Sequence, residues 1–185
     1  MQLGELAGLK PAERLREVFG AALLELCREN DRVVVLDGDL APTTKTIFVR
    51  EEFPDRFFNI GIAESNMVSI ASGLAACGFI PFATSLSSFL LSNAFDQLRV
   101  SVAVSSVNVK VVGSHGGMTL GKDGARAMAP EDLPMVGCLP TFAIVVILIT
   151  VIVLDLRRRI GVGFVLRLAV IVPGALRRSG VVRSP

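Results

Sequence analysis

Glu64 opens a stretch, ESNMVSIASGLAACG, that is otherwise small, polar or apolar and carries no second charge. A glutamate in that position is most often a solvated helix-end charge or a capping group favoured by the helix dipole, though a carboxyl group is also a side chain that can hold or move a proton. His115 is the single histidine, set in SHGG after an apolar run. A lone histidine in a glycine-rich loop is ordinarily exposed, yet an imidazole can donate to a phosphate or hydroxyl near neutral pH. Asp123 follows in GKDG. Arg16 falls on the polar face of a first helix, and a guanidinium fork suits a phosphate geometrically. Asp37 and Asp39 flank Gly38 in DGDLAPTT, as loop-capping acids or as part of an active-site network, with Asp39 the favoured functional one; Thr43 lies in the same loop. Phe89, between Leu86 and Leu90, has a spacing that fits plain core as well as a stacked ring.

Two other chemistries lack their residues. Five glycines between 113 and 124 follow an apolar run but have neither GxGxxG nor GxxxxGK spacing, so they read as a substrate loop rather than a phosphate cradle. Cys27, Cys77 and Cys138 are odd in number and without CxxC spacing, which predicts reduced, mostly buried thiols in a cytoplasmic protein and no metal cluster.

The elements that position these residues follow from periodicity. Leu15, Val18, Phe19, Ala22, Leu23 and Leu26 recur at helical spacing after Pro11, predicting an amphipathic helix over about 12 to 29 that packs on a sheet. Val33 to Leu36 is a short apolar run closed by Asp37, Gly38 and Asp39, a buried parallel strand ending in a functional loop. Phe57 to Ile60 predicts a second strand, 63 to 76 a closely packed helix stopped by Gly78, 79 to 84 a third strand, 93 to 104 a helix and 108 to 113 a fourth strand. This alternation predicts an α/β fold, a mostly parallel sheet with helices on both faces, in which ligands gather at the strand ends.

A chain of 185 residues, 51% hydrophobic, is long enough for one domain with a real core. The net charge of +2 singles out neither a nucleic acid nor a membrane surface as a partner, and MQLGELAGLKPAERL lacks the order of a secretion signal. From 141 to 185 the text changes: seven arginines, no lysine and one acid, Asp155, among Val, Ile, Leu and Gly. The apolar run Phe142 to Leu154 is shorter than the roughly 18 to 20 residues of a membrane-spanning helix, and its β-branched content favours a buried strand. The division is a domain over 1–140 and a divergent tail over 141–185, either completing the sheet or arising from a frameshifted end.

Four ordered phrases, DGDLAPTTKT (37 to 46), NIGIAESNM (59 to 67), AFDQLR (94 to 99) and VGSHGGMTLGKDG (112 to 124), make the chain similar to the central, pyrimidine-binding domain of transketolases over about residues 12 to 140. The resemblance implies a thiamine diphosphate-binding pyrimidine-domain fold and a truncated C-terminal subunit of a split enzyme. It sets Glu64 against N1′ of the cofactor's aminopyrimidine, promoting the imino tautomer, and Phe89 against the pyrimidine ring, with Leu86 where the family has a second phenylalanine. It assigns His115, Asp123, Arg16 and Thr43 to the sugar phosphate. The diphosphate and Mg²⁺ belong to a partner chain, a diphosphate-binding subunit, with homo-pairing inside a heterotetramer. The implied activity is two-carbon ketol transfer between sugar phosphates. The alternatives are a catalytically inactive relic acting as a binding or scaffold protein, or a subunit of a deoxyxylulose-phosphate synthase or 2-oxoacid dehydrogenase β type. Ala127 departs from the pattern, standing where the family has a polar side chain on the substrate; compensation by Arg126, a different substrate and lost activity all fit.

Overall fold

The structure, a computed structural model, describes residues 14–118, 120–139, 141–147 and 167–173. Pro11, the predicted helix start at residue 12, and the apolar run after Ile147 lie outside them. The strands are β1 (Val33–Asp37), β2 (Phe57–Asn59), β3 (Ile80–Leu86), β4 (Lys110–Gly116), β5 (Phe142–Ile147) and β6 (Arg167–Pro173). They form one sheet in the order β2-β1-β3-β4-β6-β5. β1 pairs in parallel with both β2 and β3, and β3 with β4, whereas β6 runs antiparallel to β4 and β5.

Side chains of the parallel strands alternate between two cores, which is why these runs are apolar throughout. Val33 and Val35 face one cluster with Leu15, Leu23, Cys27 and Val49, from helices α1 (Leu15–Glu29) and α3 (Ile47–Glu52). Val34, Leu36, Ala83 and Val111 face the other, with Met67, Val68 and Ala71 of helix α4 (Glu64–Ala76) and Val136 of α6 (Asp132–Gly137). The predicted α/β layering, with helices on both faces of a mostly parallel sheet, is the observed one.

The details differ from the expectations where tertiary contacts override local pattern. The buried stripe of α1 is Leu15, Gly20, Leu23 and Cys27, while Ala22 and Leu26 face outward. Gly20 sets this rotation: a Cβ there would stand 2.6 Å from both Cβ and O of Lys45, so the helix can cross that turn only without a side chain. Arg56 closes the far end of α1, its Nη1 donating to the carbonyls of Cys27 (2.8 Å) and Asn30 (3.2 Å). Helix α2 (Ala41–Thr44) and α3 fill a loop in which no helix was expected.

The helix expected over 93 to 104 begins earlier and is broken. Wide turns over Ser88–Asn93 and Leu98–Val104 flank one regular turn, α5 (Phe95–Gln97). β4 extends three residues into the glycine-rich segment, ending at Gly116. Cys27 is buried but Cys77 and Cys138 are exposed, each just past a helix end, which corrects the expectation of mostly buried thiols.

Candidate functional site

The strand order creates the site. From β1 the chain crosses to β2 on one side and then returns past β1 to β3 on the other, so the topological switch point, where such sheets place their ligand crevice, lies beyond the carboxyl ends of β1 and β3. α4, which carries the chain from β2 to β3, starts at that crevice and brings Glu64 into it. Glu64 is 2% exposed. Ser85 Oγ, near the end of β3, donates to Glu64 Oε1 at 2.9 Å. Asn93 Nδ2 stands 3.4 Å from Oε2, at the limit of a hydrogen bond. Gly38, just past β1, presses on this pair: a Cβ at Gly38 would be 3.1 Å from Ser85 Oγ and 3.4 Å from Glu64 Oε1. No cation pairs with Glu64 among the described residues.

Beside it lies a second buried carboxyl group with a full set of partners. Asp37 Oδ2 accepts the hydroxyls of Thr44 (2.8 Å), Thr46 (2.8 Å) and Thr84 (2.9 Å), and Oδ1 accepts the backbone N–H of Leu40 at 2.5 Å. Asp37, Thr46 and Thr84 are fully buried. This hub folds the loop holding Thr43 back onto the end of the sheet. Thr43 is half-buried and its hydroxyl bonds to no other described side chain. Asp39 is exposed, with φ +65° and its Oδ1 accepting from Asn59 Nδ2 at 2.9 Å.

β4 delivers the histidine. His115 has φ +57°, a left-handed conformation unusual for a non-glycine residue, and Nδ1 lies 3.0 Å from Ser114 Oγ, whose hydroxyl is 3.3 Å from the carbonyl of Ser85. Burial pushes the His115 pKa down, the Arg16 guanidinium pushes it further, and Asp123 opposes both. Arg16, His115 and Asp123, 107 residues apart at the extremes, therefore share one electrostatic neighbourhood. Arg16 reaches it because α1 runs antiparallel to β1, which returns its first turn to the carboxyl edge. Its nearest carboxylate is Glu17, Nε to Oε1 4.0 Å, while Lys45 Nζ takes the same oxygen at 3.2 Å.

Phe89 is half-buried on the first wide turn and belongs to neither core cluster, unlike its neighbours Leu90 and Leu91. Ala127 is 1% exposed, its carbonyl accepting from Ser88 Oγ at 3.1 Å; Arg126 points outward, Nη2 4.0 Å from Asp123 Oδ1. Sequence reasoning missed Gly38, Ser85, Asn93 and the threonine hub. Their only trace in the text is that small and hydroxyl residues cluster at predicted strand ends.

With this geometry the comparisons with known proteins are decisive. The family profile described as transketolase, pyrimidine binding domain, matches residues 13–153. The chain belongs to the transketolase family. A putative transketolase C-terminal section from Methanocaldococcus jannaschii is 41% identical over 131 residues, covering 71% of this chain and 42% of the relative. Human transketolase is 42% identical over 127 residues, covering 68% of this chain and 20% of the human protein. A solved split-gene transketolase, described as an inactive β4 tetramer, superposes with a TM-score of 0.60 at 43% identity, covering 69% of this chain and 40% of that one. The chain thus spans well under half the length of these transketolases, in the part that binds the pyrimidine of thiamine diphosphate.

The site residues fit that group. A buried carboxyl group with one short hydrogen bond and one oxygen short of a good partner is costly unless a ligand completes it. Among the described residues no group of three or more His, Cys, Asp or Glu side chains can hold a metal ion, and no helix is long and apolar enough to cross a membrane.

Proposed function

We propose that this chain is the pyrimidine-binding subunit of a transketolase-like enzyme that moves a two-carbon ketol unit between sugar phosphates. The observation that carries this reading is the Glu64 carboxyl group, buried at the β1/β3 crevice and pinned at one oxygen only. Thiamine diphosphate, when bound, supplies the carbanion chemistry. Glu64 holds its pyrimidine nitrogen and Phe89 offers a ring face outside the core. Arg16, His115, Asp123 and Thr43 orient the sugar phosphate: a fixed cation, an imidazole kept neutral, a carboxylate and an unengaged hydroxyl share one edge of the sheet.

The diphosphate and its Mg²⁺ belong to a separate diphosphate-binding subunit. Two such heterodimers pair through this chain. The outward face of α4 supports the pairing: Asn66, Ser69, Ile70, Gly73, Ala76 and Cys77 are uncharged and reach the surface. That the split-gene relative is described as an inactive β4 tetramer fits a chain that pairs with itself and needs its partner for activity. Two exposed free thiols favour a reducing, cytoplasmic setting. The pyrimidine domain occupies 1–140, and in the tail over 141–185 β5 and β6 extend the sheet.

The test combines the chain with a diphosphate-binding subunit, thiamine diphosphate, Mg²⁺, a ketose phosphate donor and an aldose phosphate acceptor. Transfer that requires both chains and disappears in Glu64→Ala supports the proposal; cofactor binding without transfer supports the second reading, an inactive binding protein, which the buried Ala127 in place of a polar side chain favours.

A further inference from the structure

Resting on that cofactor reading, we infer that Ser85 is a positioning residue for Glu64, and that Oε2, the carboxyl oxygen Ser85 leaves open, is the one that meets the pyrimidine. The Ser85 hydroxyl has a single proton, and its one short hydrogen bond to a side chain goes to Glu64 Oε1 at 2.9 Å, with both residues buried. Its backbone is fixed because β3 pairs with β4 at Ser85↔Gly113 and the Ser85 carbonyl accepts from Ser114 Oγ. Gly38 lies on the other side, where a Cβ would crowd Ser85 Oγ at 3.1 Å and only touch Glu64 Oε1 at 3.4 Å.

At Oε2 the protein does much less. The approach of Asn93 Nδ2 at 3.4 Å is too long for a strong bond, and Asn93 is itself exposed, its carbonyl tied to Ser65 Oγ at 2.7 Å. A carboxyl group clamped at one oxygen and nearly bare at the other has one orientation and one unfilled acceptor. Without Ser85 the group turns about its last bond, and the cofactor must restrain it on binding.

The experiment measures thiamine diphosphate affinity by titration calorimetry, with Mg²⁺, on the full chain combined with its diphosphate-binding subunit. Four proteins are compared: wild type, Ser85→Ala, Glu64→Ala and the double variant. Ser85→Ala weakens binding about tenfold, in keeping with one hydrogen bond to a carboxylate. In the Glu64→Ala background the same change has less than about a twofold effect, because the hydroxyl acts only through the carboxyl group. Equal losses in both backgrounds mark a merely structural serine and overturn the inference, as does unchanged affinity in Ser85→Ala. Gly38→Ala, which crowds the same pair from the backbone side, shows the same dependence on Glu64. Failure of the wild-type complex to bind thiamine diphosphate overturns the functional reading as well, whereas wild-type binding unaffected by Ser85→Ala overturns this inference alone.

Discussion

Thr46 Oγ1 lies 2.8 Å from Asp37 Oδ2, tying the loop before α3 to the last residue of β1 in a fully buried contact. With Thr44 and Thr84 it makes Asp37 the point on which the loop holding Thr43 and the sheet end converge. Asp37→Ala removes the shared acceptor of three hydroxyls and a backbone N–H, of which Thr84 keeps the Leu36 carbonyl (3.0 Å) and Thr44 the Leu40 carbonyl (3.2 Å), and lowers unfolding stability by about 3 kcal/mol. Urea denaturation of the isolated chain checks this; a loss under about 1 kcal/mol means the threonines repair the hub among themselves.

Glu64→Ala separates chemistry from fold. Among the described residues its only side-chain partners are Ser85 and Asn93, so its loss leaves few groups stranded, while transfer activity of the assembled enzyme falls by about 10³ or more. Circular dichroism and the melting temperature verify the fold, and a steady-state assay the activity. Collapse of the fold would place Glu64 in the structural core instead.

His115 makes stability pH-dependent with a definite sign. Its folded-state pKa lies below the ordinary value of 6.5, through burial first and the Arg16 charge second. The unfolded chain therefore takes up this proton more readily than the folded one. The histidine's contribution is fully present above about pH 6.5 and is lost as the pH falls from there towards the folded pKa. Melting temperatures measured from pH 7.5 to 5.5 fall less steeply in His115→Gln than in the wild type. Arg16→Gln moves the His115 titration, followed by NMR of the ring protons, upward.

Gly20 is a packing test independent of the site. Gly20→Ala places a methyl group 2.6 Å from Lys45 Cβ and from the Lys45 carbonyl, where backbone must shift. The expected cost is about 2 kcal/mol, against the gain of a fraction of a kcal/mol that alanine brings to an unhindered helix. Thermal unfolding decides between the two signs.

Some of this protein was legible in its text because the relevant physics is local. Val33–Asp37, Ile80–Leu86 and the helix from Glu64 announce themselves through continuous apolar runs and helical spacing, and their alternation fixes a mostly parallel sheet covered on both faces. Glu64, His115 and Asp123 were singled out by residue type and by their phrases. Strand β4 ran past its predicted end because pairing with β3 stabilises Ser114, although glycines around it argue locally for a loop.

What only the tertiary structure decided are the relationships between residues far apart in the chain. Asp37 and Asp39 are the same residue type two positions apart, yet one is the buried hub of three threonines and the other an exposed acid on Asn59. Asp37 is the last residue of β1, whereas Asp39 lies in the turn beyond it with φ +65°, where the two-residue alternation that would have kept them on one face no longer holds. Nothing in the local text marks Ser85, because its importance is a 2.9 Å distance to a carboxyl group 21 residues earlier, set by β3 lying beside β1. The sequence by itself determined the layers, the family and the acid at the crevice. The crossing of the chain from β2 back over β1 to β3 decided which side chains surround that acid, because only this crossing brings the ends of β1, β3 and α4 to one point.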